Sequence, residues 1–422
     1  MRKVIRFSLP IAAAVASALF AACVGDDPAS TSSSSGAGGG DDGGTNGDGT
    51  TNGDSSTTDG ATSDGSAGDG GTDAGPPPCG YPGEECCAAP ATPCRTGSTC
   101  GTATPKRCMV NEVDIVGEYQ SFTNGGFPIV YRMVTAKWNG SAWTKGSSLT
   151  HADRHVDAFA VSPSGQQRVS LNKSGVGQYW FLEGVNWKDC SGAGTCAGPL
   201  GTLPELYGIT YVNNNFWLGG GNTFYRCVAP NRCVQQVTGL GGQTWAYGNF
   251  SGNAEDDLWY SALTKAFHFD GVTWTVHPNL QAFSIYSVRK NDVWVGTSTL
   301  QHWNGTVWAD PVNVDGNPFP GNINAIAGSG SNDLWAAGGG TIAHYNGTEW
   351  KKDLTFPAAA TGVEDLYAPS KIEAFTVGDS KAYSFNGTTW AEMPPPPYDV
   401  LAGETNSGVK WRKVTGPAKA RP

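Results

Sequence analysis

The 422-residue chain is poor in charge, with 15% Asp, Glu, Lys and Arg, and its 27 Lys and Arg are outnumbered by 37 Asp and Glu. No surplus of cations exists to displace counterions from phosphate, so nucleic acid is excluded as a partner. Long apolar runs are also missing. The longest, Leu9 to Ala22, is interrupted by Pro10 and Ser17 and is too short to span a bilayer. There is no HExxH metalloprotease helix and no Walker A phosphate loop. The nearest approach to a nucleophile elbow, GDSKA at Gly378 to Ala382, lacks the second Gly of that motif, and the Ser and Asp signature of sialidases is absent. Nothing calls for a cofactor. Tryptophan is confined to one part of the chain: of 15 Trp, none precedes Trp138.

Residues 24–78 hold ten Asp and no Glu, Lys or Arg, so they account for the whole net charge of −10, and the remainder balances at 27 against 27. This stretch is almost entirely Gly, Ser, Thr, Asp, Asn and Ala. It cannot bury enough apolar surface to offset the entropy of ordering, and is expected to be a disordered tether spanning on the order of 40 Å. Its Asp-Gly pairs lack the regular ligand spacing of a calcium loop. Arg2, Lys3 and Arg6 followed by the apolar run give residues 1–22 the form of an export signal. The run ends in LFAAC, which resembles the lipobox of bacterial lipoproteins, with Phe20 where Leu is usual. The resemblance implies that Cys23 is lipidated and becomes the mature N-terminus, holding the protein on a membrane. The absence of Asp directly after Cys23 implies sorting to the outer membrane.

Eleven cysteines are an odd number, and lipidation of Cys23 would remove the oddity. Cys79, Cys86, Cys87, Cys94, Cys100 and Cys108 fall in a Gly- and Pro-rich segment, 79–108, too small for a core of its own, so three disulfides of open connectivity are expected. No His lies there to favour zinc. The segment resembles small Cys-rich modules of lipoproteins from myxobacteria and their relatives, which implies a spacer or adhesion element. Cys190 with Cys196 and Cys227 with Cys233 each enclose five residues, and each pair reads as a disulfide across a hairpin loop.

One unit recurs through the rest. Its clearest copy, from Ile323, contains NDLW and HYNGTEW, matched elsewhere by DDLW with HFDGVTW, NDVW with HWNGTVW, and IEAF with YSFNGTTW. Trp259, Trp294, Trp335 and Phe375 form one column at intervals of 35, 41 and 40, and Trp274, Trp308, Trp350 and Trp390 a second at 34, 42 and 40. Short alternating apolar runs separated by Gly pairs and by Asn-Gly or Asp-Gly read as four antiparallel strands per unit. Weaker copies around Trp138 and Trp143, from Tyr179 to Cys196, and from Phe216 bring the total to seven, with the disulfide loops replacing Asn-Gly turns. The fold class is therefore all-β, a seven-bladed β-propeller over 113–415, with six or eight blades as neighbouring solutions and a linear solenoid as the rival. GVKWRKV near the C-terminus reads as a strand that returns to close the first blade. The unit resembles the NDVW…HYNGSTW repeats of myxobacterial surface lipoproteins over residues 244–398, and more distantly kelch and tectonin propellers. The tectonin likeness implies sugar binding without placing a site.

The repeated aromatics read as packing between blades. Trp187 and Trp245 fall outside the two columns and are candidate stacking platforms for sugar rings. His268, His302 and His344 recur at one position, but the column breaks at Lys137 and Ser384, and equivalent positions spread around a ring do not converge on one ion. In HADRHVD, the side chains of His151, Asp153, His155 and Asp157 would share one side of an extended chain, a plausible set for a divalent cation or else a polar connection between blades. Four Asn-Gly-Ser/Thr sequons, at Asn139, Asn304, Asn346 and Asn386, are accounted for by the turn. The reading is a lipoprotein at the bacterial outer membrane or cell surface, whose propeller binds a surface glycan or an envelope protein. The alternatives are a polysaccharide hydrolase or lyase using His151, Asp153 and His155, and a purely structural or assembly factor of the envelope.

Overall fold

The computed structural model describes residues 82–417 apart from 88–93, 95–97, 103–105, 124–128, 152–153, 174–175, 191–202, 222, 230–231, 237–247, 359, 361, 401–403 and 407. The export signal, Cys23, the tether, Cys79, Asp153, Cys196 and Trp245 lie outside the described residues. Seven antiparallel sheets follow one another along the chain, with a separate two-stranded piece ahead of them. The fold is a seven-bladed β-propeller.

Blade 1 comprises Val113–Thr123, Ile129–Trp138 and Trp143–His151. Its innermost strand, Lys410–Thr415, comes from the C-terminal end of the chain and pairs antiparallel with Val113–Thr123. Blade 2 runs from His155 to Asp189, blade 3 from Gly208 to Gln235, blade 4 from Phe250 to Ala282, blade 5 from Ser284 to Trp303, blade 6 from Ala325 to Lys352 and blade 7 from Asp365 to Glu392. In blade 4 one long strand, Asp257–Phe269, serves as second and third strands, turning at Leu263, whose φ is +51°. In blade 5 the fourth strand shrinks to two isolated bridges with the third, Trp303 to Trp308 and Leu300 to Val312. The first strands of successive blades touch one another all the way round, including blade 7 to the C-terminal strand and that strand to blade 2. A circle is thereby closed, and the solenoid is excluded.

Because each blade is covered on both faces, its second strand is largely buried on both sides instead of alternating, polar residues included. All six residues of Asp333–Gly338, DLWAAG, are buried, as are those of Asn215–Gly220 and Glu373–Gly378. The turn from first to second strand and the turn from third to fourth emerge on one face of the disc, here called the turn face. The other two connections emerge on the opposite face, the mouth face. The Asn-Gly turns are one device used repeatedly. Asn346 Oδ1 accepts from the N–H groups of Thr348 and Glu349, as Asn139, Asp270, Asn304 and Asn386 do in their own turns. Gly347 has φ of +100° and sits on Asn332, where a Cβ would come within 2.8 Å of the Asn332 Cβ. Only Gly meets both demands.

Two kinds of aromatic contact hold the blades. Within blades 4, 5 and 6 the third-strand His stacks on the second-strand Trp: His268 on Trp259 at 4.1 Å, His302 on Trp294 at 4.4 Å and His344 on Trp335 at 4.1 Å between ring centres. Each His Nε2 also meets the Asp that opens its own second strand, Asp257, Asp292 or Asp333, at 2.8–3.0 Å. Between blades, the first-column Trp meets the second-column Trp of the next blade edge to face. Trp217 meets Trp274 at 6.4 Å, Trp259 meets Trp308 at 5.9 Å, Trp294 meets Trp350 at 5.4 Å and Trp335 meets Trp390 at 5.4 Å. The edge of one indole thus faces the electron-rich face of another, a favoured arrangement. At the seam, Phe375 of blade 7 packs in one cluster with Trp138 and Trp143 of blade 1.

The disulfide Cys227–Cys233 bridges the third and fourth strands of blade 3, where sister blades carry Asn-Gly. Cys190 departs from expectation. It follows the fourth strand of blade 2, so the CSGAGTC loop begins in the connection to blade 3, and the turn it was expected to replace is instead made by Gly184 and Val185. Cys190 is buried and disulfide-bonded.

Truncation of Trp335 to Ala should cost about 3–5 kcal/mol. In a double-mutant cycle, Trp335→Ala and Trp390→Ala should couple by about 0.5–1.5 kcal/mol, while Trp335→Ala and Trp217→Ala, which share no partner, should add. Denaturant unfolding of the three single and two double variants checks this, and additivity of the neighbouring pair would contradict the lock.

Candidate functional site on the propeller axis

The first strands of all seven blades surround a cavity of about 740 Å³ on the axis. Its wall is uneven in charge. Blades 4, 5 and 6 line it with FSGNA, SIYSVR and AIAGSG, which offer hydroxyls, amides and small apolar groups, with Arg289 at the turn-face end. On the opposite arc, blades 7, 1 and 2 contribute Asp365, Lys413 and Asp157. The difference arises because the closing strand, KWRKVT, is the most cationic first strand of the ring, and it lies between the acidic beginnings of the strands on either side.

Glu118 of blade 1 is the hub of this charged arc. Its Oε1 accepts from Arg412 Nη2 at 2.7 Å and Nε at 3.0 Å, and its Oε2 from the Val156 N–H at 2.9 Å. Arg412 Nη1 reaches Glu364 of blade 7 at 3.4 Å. The Arg412–Glu118 pair therefore joins three blades, the guanidinium reaching blade 7 and the carboxylate blade 2. Burial alone would lower the Arg412 pKa, but the charges of Glu118, Glu364 and Asp157 outweigh it and raise it. Asp365 Oδ2 accepts from the Val414 N–H at 3.0 Å, and burial raises its pKa against the opposing charge of Lys413. For Asp157, burial pushes the carboxyl up to about 6 against the pull of Lys413 and a hydrogen bond from Asn172. A half-buried carboxyl that exchanges its proton near neutrality, beside an ammonium and a ring of hydroxyl and amide groups, suits a polar ligand rich in hydroxyls.

Asp153 aside, His151, His155 and Asp157 do not form a ligand group among the described residues. His151 ends the fourth strand of blade 1, where it is buried beside the Tyr131 ring. His155 and Asp157 begin the first strand of blade 2, and a bulge between Val156 and Ala158 leaves Asp157 without a partner in the ladder, so the alternation assumed for an extended chain fails there. His155 is exposed, with Nδ1 at 3.3 Å from Glu118 Oε1. Among the described residues, the groups of three or more potential ligands that come within ligating distance reduce to Cys86, Cys94 and Cys108. Disulfides occupy these sulfurs, as Cys86–Cys100 and Cys94–Cys108. His268, His302 and His344 each serve their own blade.

Trp187 is 8% exposed and packs with Val116, Met133 and Val156. It occupies the second position of the fourth strand of blade 2, so it belongs to the packing between blades and does not offer a free platform. Among the described residues no Trp is exposed. The residues that sequence reasoning missed are Glu118, Asp365, Arg412 and Lys413. The pair Arg412–Lys413, in a strand whose sister strands are nearly uncharged, was the available signal.

No protein-family model and no curated protein matches the chain. Solved structures resemble it in fold. Virginiamycin B lyase from Staphylococcus aureus is 12% identical, with 66% of this chain and 97% of that one covered and a TM-score of 0.46. YCF48 bound to a D1 peptide is 12% identical over 58% and 86% at 0.45, and YCF48 from Cyanidioschyzon merolae 13% identical over 69% and 97% at 0.43. These likenesses concern the fold alone.

Because the Asp157 pKa is raised in the folded protein, its protonation favours folding. That contribution is fully present below about 3.8 and is lost as pH rises through about 6. Asp157→Asn should therefore gain stability relative to the parent above pH 6 and lose that advantage below pH 4. Unfolding midpoints measured from pH 3.5 to 8 test this, and a pH-independent difference would contradict it.

Proposed function

We propose that the protein is a lipid-anchored bacterial surface protein of the outer membrane, whose propeller binds a glycan at the axis. The observation that carries the reading is the axial cavity, with one hydroxyl- and amide-rich arc facing one arc of alternating charge. Sugars present many hydroxyls at close spacing and are held by such donors and acceptors. The LFAAC sequence and the acidic Gly-rich stretch that follows support an anchor and a spacer holding a binding head away from the membrane. The likeness of the repeats to those of myxobacterial surface lipoproteins supports the same placement.

A second reading, an enzyme that cleaves polysaccharide, is favoured by one feature, the Asp157 carboxyl titrating near 6 inside the cavity. Its acid or base would then be Asp157 rather than His151, which is buried away in blade 1.

A glycan array probed with the detergent-solubilised full chain separates the readings. Binding that weakens at least about tenfold, roughly 1.4 kcal/mol, in Lys413→Met supports the binding module. Release of shortened glycan that stops in Asp157→Asn supports the enzyme, and neither result would sink both. Independently, Cys23→Ser should move the protein from the membrane fraction to the soluble one, and retention on the membrane would refute the anchor.

A further inference from the structure

We propose that the Cys-rich module is a clasp that locks the seam between blade 7 and blade 1, with Glu373 as its latch. Blade 7 departs from its sisters at two positions. At the position of Asp257, Asp292 and Asp333 it carries Glu373, and where they carry His it carries Ser384. Glu373 therefore has no imidazole of its own blade to meet, and its side chain is one methylene longer. It is buried, and its Oε2 accepts the N–H of Val110, the last residue of the module's second strand, at 2.9 Å. Burial pushes the carboxyl up to about 7, with the Val110 N–H as the opposing influence.

A second contact lies beside the first. Gly83 of the module rests on the turn between the first and second strands of blade 7, where a Cβ on Gly83 would come within 2.7 Å of the Ser370 Cβ. The module holds these two contact segments together internally. Gly83 N donates to Cys108 O at 2.7 Å, Cys108 N to Glu84 O at 2.8 Å and Arg107 Nη1 to Gly83 O at 2.7 Å. The disulfides Cys86–Cys100 and Cys94–Cys108 each anchor one of these segments covalently to the stretch of the module between them. Val110 then enters the cluster that contains Phe375, Val377 and Ala382 of blade 7 and Ile115 of blade 1. The next residue, Asn111, lies beneath the Gly140 turn of blade 1, the place that Asn332 takes beneath Gly347 in blade 6.

The seam is thus held from both ends of the folded chain. The C-terminal strand closes it at the axis, and the module closes it on the turn face. Blade 7 has exchanged its Asp–His pair for a bond to the module.

Hydrogen exchange of the full chain tests the clasp. Glu373→Asp, whose side chain is too short to reach Val110, and the paired change Cys94→Ala with Cys108→Ala should each speed exchange about tenfold in 373–378 and 113–123, with 292–296 of blade 5 unchanged. Combining the two changes should add little, because both release one contact. Equal acceleration in blade 5 would mean general destabilisation and would overturn the proposal. So would wild-type exchange at the seam in the cysteine variant, which leaves Glu373 intact and reads the clasp even if Glu373→Asp does not fold.

Discussion

The edge-to-face meeting of an indole in one blade with an indole of the next is the interaction on which the ring depends. A four-stranded sheet with two apolar faces is insoluble alone and needs a neighbour on each side. The first-column Trp supplies that need directionally, because it is buried within its own sheet and meets aromatics of the third and fourth strands of the following blade. Four consecutive junctions use two tryptophans, from Trp217 and Trp274 through to Trp335 and Trp390. The His and Asp behind blades 4 to 6 hold the indole plane that makes the contact. A residue type usually scrutinised for catalysis is here part of a packing unit.

Departures from the repeat are the informative positions once that unit is known. Blade 1 places Glu112 and Lys137, 3.4 Å apart, where the Asp–His pair stands elsewhere. Blade 3 places Arg226 there and pairs it with Glu255 of blade 4 at 2.6 Å. Blade 7 gives its carboxylate to the Cys-rich module. The substitutions of blades 1 and 7 lie at the junction where the two ends of the fold meet, and the charged arc of the axial cavity lies at that same junction. The asymmetry of the cavity therefore follows from the way the ring is closed, since one of its seven inner strands comes from a different part of the chain.

Much of the architecture was legible because it repeats. Two Trp columns in step and Asn-Gly turns between short apolar runs were enough for four strands per blade, the weaker copies pointed to seven blades with six or eight as neighbouring solutions, and GVKWRKV read as the closing strand. The site was less legible, and for definite reasons. Asp157 lies in a bulge, which no alternation pattern foretells. Trp187 stood outside the two columns because the spacing in blade 2 is irregular, and only the strand order places it with the fourth-strand tryptophans. Cys190 looked like half of a hairpin staple because a five-residue loop fits one, yet the strand before it had already made its turn at Gly184. Glu118 and Arg412 are 294 positions apart, and their contact exists only in the closed ring.

The most direct test of the account is guanidinium unfolding of the chain lacking residues 410–422. A closed ring predicts that loss of one inner strand lowers the midpoint of the whole propeller, because blades 7 and 2 lose a neighbour and the seam opens. Unfolding that superimposes on that of the full chain would contradict closure and leave only a row of stacked sheets.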